Sequence, residues 1–240
     1  IICPSTYTRD RLVSEFGADP DRITVNPWAP DSSIGQLSPQ QCEPVIHKYS
    51  LARPFVLHFG AAGPRKNTRR VLEAWALLKR SARGNWKLLV VGLDDEFRKQ
   101  MAQTAQHLGV TDSVVLHGFA DEADLPALLS GADVLAYPSL SEGFGLPILD
   151  AWAAGTAVLT SNRTSLPEVA HDAAHITDPT DPAAIALGIE KLISDPTYRS
   201  ELIERGRKRL GRYSWPQTAE RFARVLEQAA DLTGIKRLAA

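Results

Sequence analysis

The chain has 240 residues, 44% of them hydrophobic and 23% charged, with 27 basic against 28 acidic side chains and a net charge of −1. That length holds one large domain, or one domain and a piece of another, and the composition is that of an ordinary soluble globular protein. It excludes a nucleic-acid-type basic surplus and a run near the roughly 18 apolar residues of a membrane span, and two unmatched cysteines, Cys3 and Cys42, point to a reduced cytosolic setting without structural zinc.

The chain opens on "IICPSTYT", without Met or a charged leader. No signal peptide is expected there, and the start reads as the inside of a longer polypeptide. "IICPS", "TYTRDRLVSEFG" and "RITVNPW" read as strand, helix and strand, so residues 1–30 are expected to end a preceding domain. The polar, Pro-containing stretch 31–53 reads as an interdomain linker. From 54 to 212, short Val- and Leu-rich runs at 54–60, 86–92, 113–118, 132–139 and 156–160 predict strands buried on both faces. Helical patterns at 67–80, 95–109, 122–131 and 144–155 alternate with them. This alternation predicts an α/β fold, a doubly wound parallel sheet binding its ligand at the carboxyl ends of the strands.

"AAHI" (173–176) predicts a last short strand, after which the chain becomes helical. Asp181-Pro182 and Asp195-Pro196 each read as an N-cap followed by Pro at the first helical position. Ser214 to Gln217 has the form of a capping box. It opens a C-terminal helix over 213–240, whose stripe of Ala219, Phe222, Val225, Leu226 and Ala229 is expected to pack along the domain.

Two segments could carry chemistry. "FGAAGPRKNTRR" (59–70) is a strand end, a glycine turn, the basic pair Arg65-Lys66 and a helix start. Such a turn brings backbone N–H groups and a mobile charge to an anion, although a solvated basic helix start fits the same pattern. It is not a P-loop. Arg65 stands where Gly should precede Lys66, and Asn67 where a magnesium-binding hydroxyl should follow. The "DEAD" at 121–124 lies in a loop and does not follow a buried strand. In "SEGFGLPILDAWAAG" (141–155), Gly143-Phe144-Gly145 turns a strand end into a helix and exposes N–H groups suited to phosphate. Glu142 stands just before that turn, placed to accept hydrogen bonds from sugar hydroxyls. Asp150 lies about a turn and a half along the helix and would meet a ribose if that helix faces the cleft, although two solvated carboxylates fit the same spacing.

"PSLSEGFGLPILDAWAAGTAVLTSNRTSLPEV", "FVLHFGAAGPRKN", "HGFADEADLPALLSGADVLAYPS" and the late "YSW" resemble, in order, the motifs of the retaining GT-B glycosyltransferases of family 4. The resemblance covers nearly the whole chain and implies the donor-binding half of a two-domain enzyme that uses a nucleotide sugar without a metal or other cofactor. It assigns the catalytic role to Glu142, which would bind and orient the sugar. The turn at Gly60 and Ala61, the cations Arg65 and Lys66, and the loop of Gly143, Phe144, Gly145 and Leu146 would hold phosphate and sugar. Phe119 and Ala120 would meet the base, and Asp150 the ribose. Two positions depart from the family. Asp150 replaces a glutamate, so its ribose contact is either direct or through a bridging water. Ala61 replaces an arginine found in many members, which would shift the diphosphate charge more onto Lys66, with or without Arg65.

The six histidines form no evident acid–base pair and read as mostly structural. The "PRKN" and "EGFGLPILDAW" segments most resemble bacterial polysaccharide mannosyltransferases. The expected donor is therefore GDP-mannose, with UDP sugars kept open, and the acceptor a glycan or a lipid-linked saccharide. The acceptor and a catalytic histidine would belong to a missing N-terminal domain, through which association with the cytoplasmic face of a membrane stays open. No nucleic-acid partner is expected. Two rivals remain: a non-catalytic nucleotide-sugar-binding module, and a GT-B epimerase or hydrolase.

Overall fold

The computed structural model describes residues 1–78 and 83–233. The last two residues of the helix predicted at 67–80, and residues 234–240 of the C-terminal one, lie outside them. Two short parallel strands, β1 (Ile2–Cys3) and β2 (Thr24–Val25), flank helix α1 (Thr6–Phe16). Helix α2 (Pro39–Lys48) follows, and the main sheet starts at β3 (Phe55–Phe59). Then come α3 (Thr68–Leu77), β4 (Lys87–Val91), α4 (Asp95–His107) and β5 (Val114–Leu116). Beyond them run α5 (Leu125–Gly131), β6 (Val134–Tyr137), α6 (Leu146–Ala153), β7 (Ala157–Ser161), α7 (Leu166–Ala170) and β8 (His175–Thr177). Three helices end the described chain: α8 (Pro182–Ser194), α9 (Pro196–Leu210) and α10 (Trp215–Thr233).

The sheet runs β5-β4-β3-β6-β7-β8 with every neighbouring pair parallel. Chain order therefore reverses between β3 and β6, which is the switch point of a Rossmann-like sheet. Alternation along the strands divides the core into two layers. Leu57, Leu89, Leu135 and Val158 face α2, α5 and α6, where Trp152 is buried. Val56, Leu88, Val90, Val134 and Leu159 face α3, α4 and α8, where Trp75 is buried. The predicted acidic caps are in place. Asp181 accepts from the Ala183 N–H at 2.8 Å and Asp195 from the Tyr198 N–H at 2.9 Å.

Two expectations are corrected. The supposed linker 31–53 carries α2, capped by a reciprocal Ser38–Gln41 box, and its Cys42 and Ile46 are buried. Ile46 lies so close to Gly131 of α5 that a Cβ on that glycine would come within 2.7 Å of its Cδ1. Pro44 and the polar neighbours disguise a two-residue apolar stripe, one residue per turn, which is enough to seat a short helix. The second correction concerns α10. Its stripe does not pack along the domain: Phe222 and Leu226 remain 47% and 54% exposed. The helix instead follows residues 26–30. Thr218 donates to the Pro27 carbonyl at 2.7 Å, Asn26 to the Thr218 carbonyl at 3.0 Å, and the Trp215 indole to the Pro30 carbonyl at 2.8 Å. These polar ties fix the path of the helix, so its apolar stripe has no sheet beneath it.

Candidate functional site

Because the sheet is parallel, the carboxyl ends of β3, β4, β5 and β6 share one edge, and the reversal between β3 and β6 opens a crevice there. Two turns enter it, one after β3 and one after β6. The Leu140 N–H donates to the Arg65 carbonyl at 2.9 Å and ties them together. Asn67, left-handed at φ 63°, donates its side-chain amide to the Pro138 and Pro179 carbonyls at 3.0 and 2.7 Å. This anchors the start of α3 and presents Arg65 and Lys66 to the crevice.

Glu142 receives both cations. Lys66 Nζ lies 2.8 Å from Oε1 and Arg65 Nη1 2.6 Å from Oε2. Lys66 also donates to the Tyr137 hydroxyl at 2.6 Å, with Nζ 4.5 Å from the ring centroid. The Lys66 and Glu142 side chains are 14% and 10% exposed, so this pair is only partly screened by solvent. Burial pushes the Lys66 ammonium below its ordinary value, and Glu142 opposes that only in part. Burial works to raise Glu142 as well, but Lys66, Tyr137 and Arg65 outweigh it and leave the carboxyl lowered. Burial first, then the Glu142 charge, holds the Tyr137 phenol well above its usual range. The cluster thus joins a carboxylate, a lysine, an arginine and a phenol through direct hydrogen bonds.

Beside it α6 starts. Gly145 has φ 112°, a region that L side chains rarely adopt, and a Cβ there would meet Leu166 Cδ2 at 2.7 Å. Only glycine turns the chain so sharply into a helix start at this point. Lys66, Tyr137, Glu142 and residues 143–146 line a cavity of about 320 Å3, together with Pro4 and Trp28 from the N-terminal segment. A wider depression of about 610 Å3 runs along α9, from Pro196 to Lys208, away from the strand ends.

The remaining predicted residues are spread along the same edge. Gly60 donates its N–H to the Val91 carbonyl at 2.7 Å, and a Cβ there would press within 2.7 Å of Leu93 Cδ2, so β3 and β4 end in close contact. Ala61 follows, half-buried. Phe119, 77% exposed, and the half-buried Ala120 lie beyond β5. Three strand spacings separate β5 from β6, about 14 Å, which is on the scale of an extended dinucleotide-like ligand.

Asp150 is not among the residues lining that cavity. Its Oδ1 accepts from the Asp31 N–H at 2.9 Å, holding the chain just after the N-terminal segment. Burial is the main reason its pKa rises to about 6; the Asp31 N–H lowers it and the Asp31 carboxylate raises it. An acid raised on folding binds its proton more tightly in the folded state. Its contribution to stability therefore falls as pH climbs from about 4 through about 6 and is flat above that. Asp150→Asn keeps an acceptor for Asp31 without the charge. It is expected to match the parent near pH 4 and to be about 1–3 kcal/mol more stable at pH 7.5, by the conversion of pKa shift to free energy. Chemical denaturation at the two pH values checks this, and a difference independent of pH would contradict it.

His58 is fully buried. Nδ1 faces the Ala136 carbonyl at 2.8 Å and Nε2 the Thr68 hydroxyl at 3.2 Å. Burial, helped by the Lys66 charge and opposed by the Ala136 carbonyl, takes its pKa down to about 4. It is a neutral strut between β3, β6 and α3. Among the described residues, no group of three or more His, Cys, Asp and Glu side chains is placed to hold a metal ion. Sequence reasoning missed Tyr137 and Trp28. Tyr137 could have been found as the one polar side chain at the carboxyl end of β6, beside the turn that carries Glu142.

A family model described as glycosyl transferases group 1 matches residues 44–209. O-antigen chain mannosyltransferase B of Escherichia coli is 35% identical over 219 residues, covering 90% of this chain and 57% of that protein. The serotype-specific mannosyltransferase WbdA of Escherichia coli is 32% identical over 200 residues, covering 81% of this chain and 24% of that protein. The chain thus spans little more than half of the first relative and about a quarter of the second. Among solved structures, Anabaena Alr3699/HepE in complex with UDP and glucose superposes with a TM-score of 0.84 at 20% identity, over 94% of this chain and 62% of that one.

Proposed function

The chain belongs to the glycosyl transferases group 1 family, and from that premise we propose that it is the donor-binding part of a retaining, family 4 GT-B enzyme. It moves a hexose, mannose before others, from a GDP- or UDP-linked sugar to a glycan or lipid-linked saccharide. The observation that carries this reading is the joining of Lys66, Arg65 and Glu142 to a glycine-turned helix start at the sheet's switch point. The mannosyl preference rests on the two mannosyltransferase relatives, and GDP-mannose is the donor to test first.

The geometry suits such a donor. The base lies toward Phe119 and Ala120, past Gly60 and Ala61, and the diphosphate toward Lys66 and Arg65. The N–H groups of Phe144, Gly145 and Leu146 face its oxygens, and Glu142 takes the sugar hydroxyls. As the bond from the sugar to the diphosphate breaks, negative charge gathers on the leaving phosphate. Preorganised N–H groups and a desolvated ammonium stabilise that charge at little reorganisation cost. No metal is needed for this neutralisation. Asp150 serves the donor at most from behind, by fixing the segment that carries Trp28. The acceptor and the remaining chemistry belong to an N-terminal domain, in a cytoplasmic protein that works at or near the membrane face. Among the described residues no helix is long and apolar enough to cross a membrane.

The test supplies GDP-mannose and UDP-glucose, with and without a saccharide acceptor, to this chain and to a protein of the relatives' length. Transfer is expected only from the longer protein, because aligning donor with acceptor across a closing cleft is worth several kcal/mol. Transfer by the 240-residue chain alone would contradict the assignment. Consumption of donor by the longer protein without acceptor would favour the hydrolase or epimerase reading.

A further inference from the structure

We infer that Ser5 and Thr8, on the N-terminal segment, are positioning residues for the phosphate-facing loop 143–145. This rests on the reading of that loop as the diphosphate site.

Three successive carbonyls of the loop are held by hydroxyl groups. The Glu142 and Phe144 carbonyls share the Ser165 hydroxyl, at 2.9 and 3.0 Å. Between them, the Gly143 carbonyl accepts from Ser5 Oγ at 2.6 Å and from Thr8 Oγ1 at 3.1 Å. In a trans peptide the N–H of the next residue points opposite to the carbonyl. Fixing the carbonyls of 142, 143 and 144 therefore aims the N–H groups of Gly143, Phe144 and Gly145. Residues 143–145 sit in a turn with a left-handed glycine, where peptide planes rotate readily, so a clamp is needed to hold one arrangement. Ser5 and Ser165 are both fully buried, which limits the competition of water for their bonds, whereas the Thr8 bond lies nearer solvent.

The clamp is anchored in turn. Ser5 caps α1 by accepting from the Thr8 N–H at 3.1 Å. The Glu168 carboxylate, on α7, accepts from the Thr6 and Tyr7 N–H groups at 2.9 and 3.1 Å. Helix α1 is thereby pinned beside α7, with its two hydroxyls directed at Gly143. The loop that meets the phosphates is thus set from both sides. Ser165 belongs to the sheet domain, whereas Ser5 and Thr8 come from a segment that the sequence assigns to a different domain. A shift of α1 would release the Phe144 N–H while leaving Lys66, Arg65 and Glu142 where they are.

The experiment measures the affinity of this chain for GDP or UDP, whichever binds more tightly, and for the matching nucleoside, by calorimetry. Thr8→Val keeps the shape and loses one donor, while Thr8→Ser keeps the donor. Ser5→Ala removes the second donor. Thr8→Val is expected to weaken the diphosphate about threefold and Ser5→Ala/Thr8→Val at least tenfold, with nucleoside affinity changed less than twofold. Thr8→Ser should bind as the parent does. A merely structural role would lower both affinities together, and Thr8→Val, which leaves the α1 cap intact, separates the clamp from the folding of the helix. If the parent binds diphosphate and both variants bind it equally well, the clamp is overturned alone. If the parent binds no nucleoside diphosphate, the reading of the site falls and the clamp falls with it.

Discussion

Glu142→Gln is expected to lower sugar transfer by a protein of the relatives' length about ten- to a hundredfold, while this chain binds nucleoside diphosphate severalfold more tightly. The two effects have one origin. Glu142 carries a charged hydrogen bond to Lys66 and another to Arg65, both cations that the proposed diphosphate requires. With its charge removed, the cations are no longer neutralised from within, and a repelling carboxylate no longer stands beside the phosphates. The sugar, however, loses a charged acceptor for its hydroxyls. Such a bond is worth about 1.5–3 kcal/mol, which sets the loss in rate. Glutamine keeps the size of the side chain and one acceptor for Lys66, so a folding defect is not expected. Weaker diphosphate binding by Glu142→Gln would mean that the carboxylate does not compete with the ligand for these cations.

Lys66→Met is the second large effect. The ammonium is 14% exposed and sits between Glu142 and the Tyr137 hydroxyl, and burial already disfavours its charge. A cation held in that state gains from a doubly charged ligand more than a solvated lysine does. Its removal should weaken nucleoside diphosphate about ten- to a hundredfold and leave the free nucleoside within about twofold. Methionine preserves the apolar stem of the side chain while removing the ammonium over the Tyr137 ring. Glu142 retains Arg65, so the variant should fold, though with some loss of stability from the partly unpaired carboxylate. Equal losses for nucleoside and diphosphate would place Lys66 in the scaffold and remove it from the ligand.

The sheet was legible because its strands are short, apolar on both faces and separated by amphipathic helices. Val56 and Leu57 announce the two core layers by simple alternation. The turns proposed to face phosphate stood out for a similar reason, since glycines and a basic pair stand where the chain leaves a strand. Pairings across the chain were not. Nothing local in "EGFG" says that Glu142 faces Lys66, 76 residues away, or that Ser5 reaches Gly143 across 138 residues. Asp150 looked like a ligand group because it follows the glycine turn at helical spacing, yet its near oxygen holds the Asp31 N–H. Helix α2 was hidden by Pro44, and α10 was misplaced because an apolar stripe fixes which face is buried but not against what.

The most direct test of a nucleotide site at this sheet edge is a titration of the isotopically labelled 240-residue chain with GDP and UDP, followed by its backbone amide signals. At least one of them should bind saturably, with the largest shifts at Phe144, Gly145, Leu146 and Lys66. At about 100 times its dissociation constant the ligand should add about 2.7 kcal/mol to stability. No binding by either, or shifts confined to the depression along α9 between Pro196 and Lys208, would contradict it.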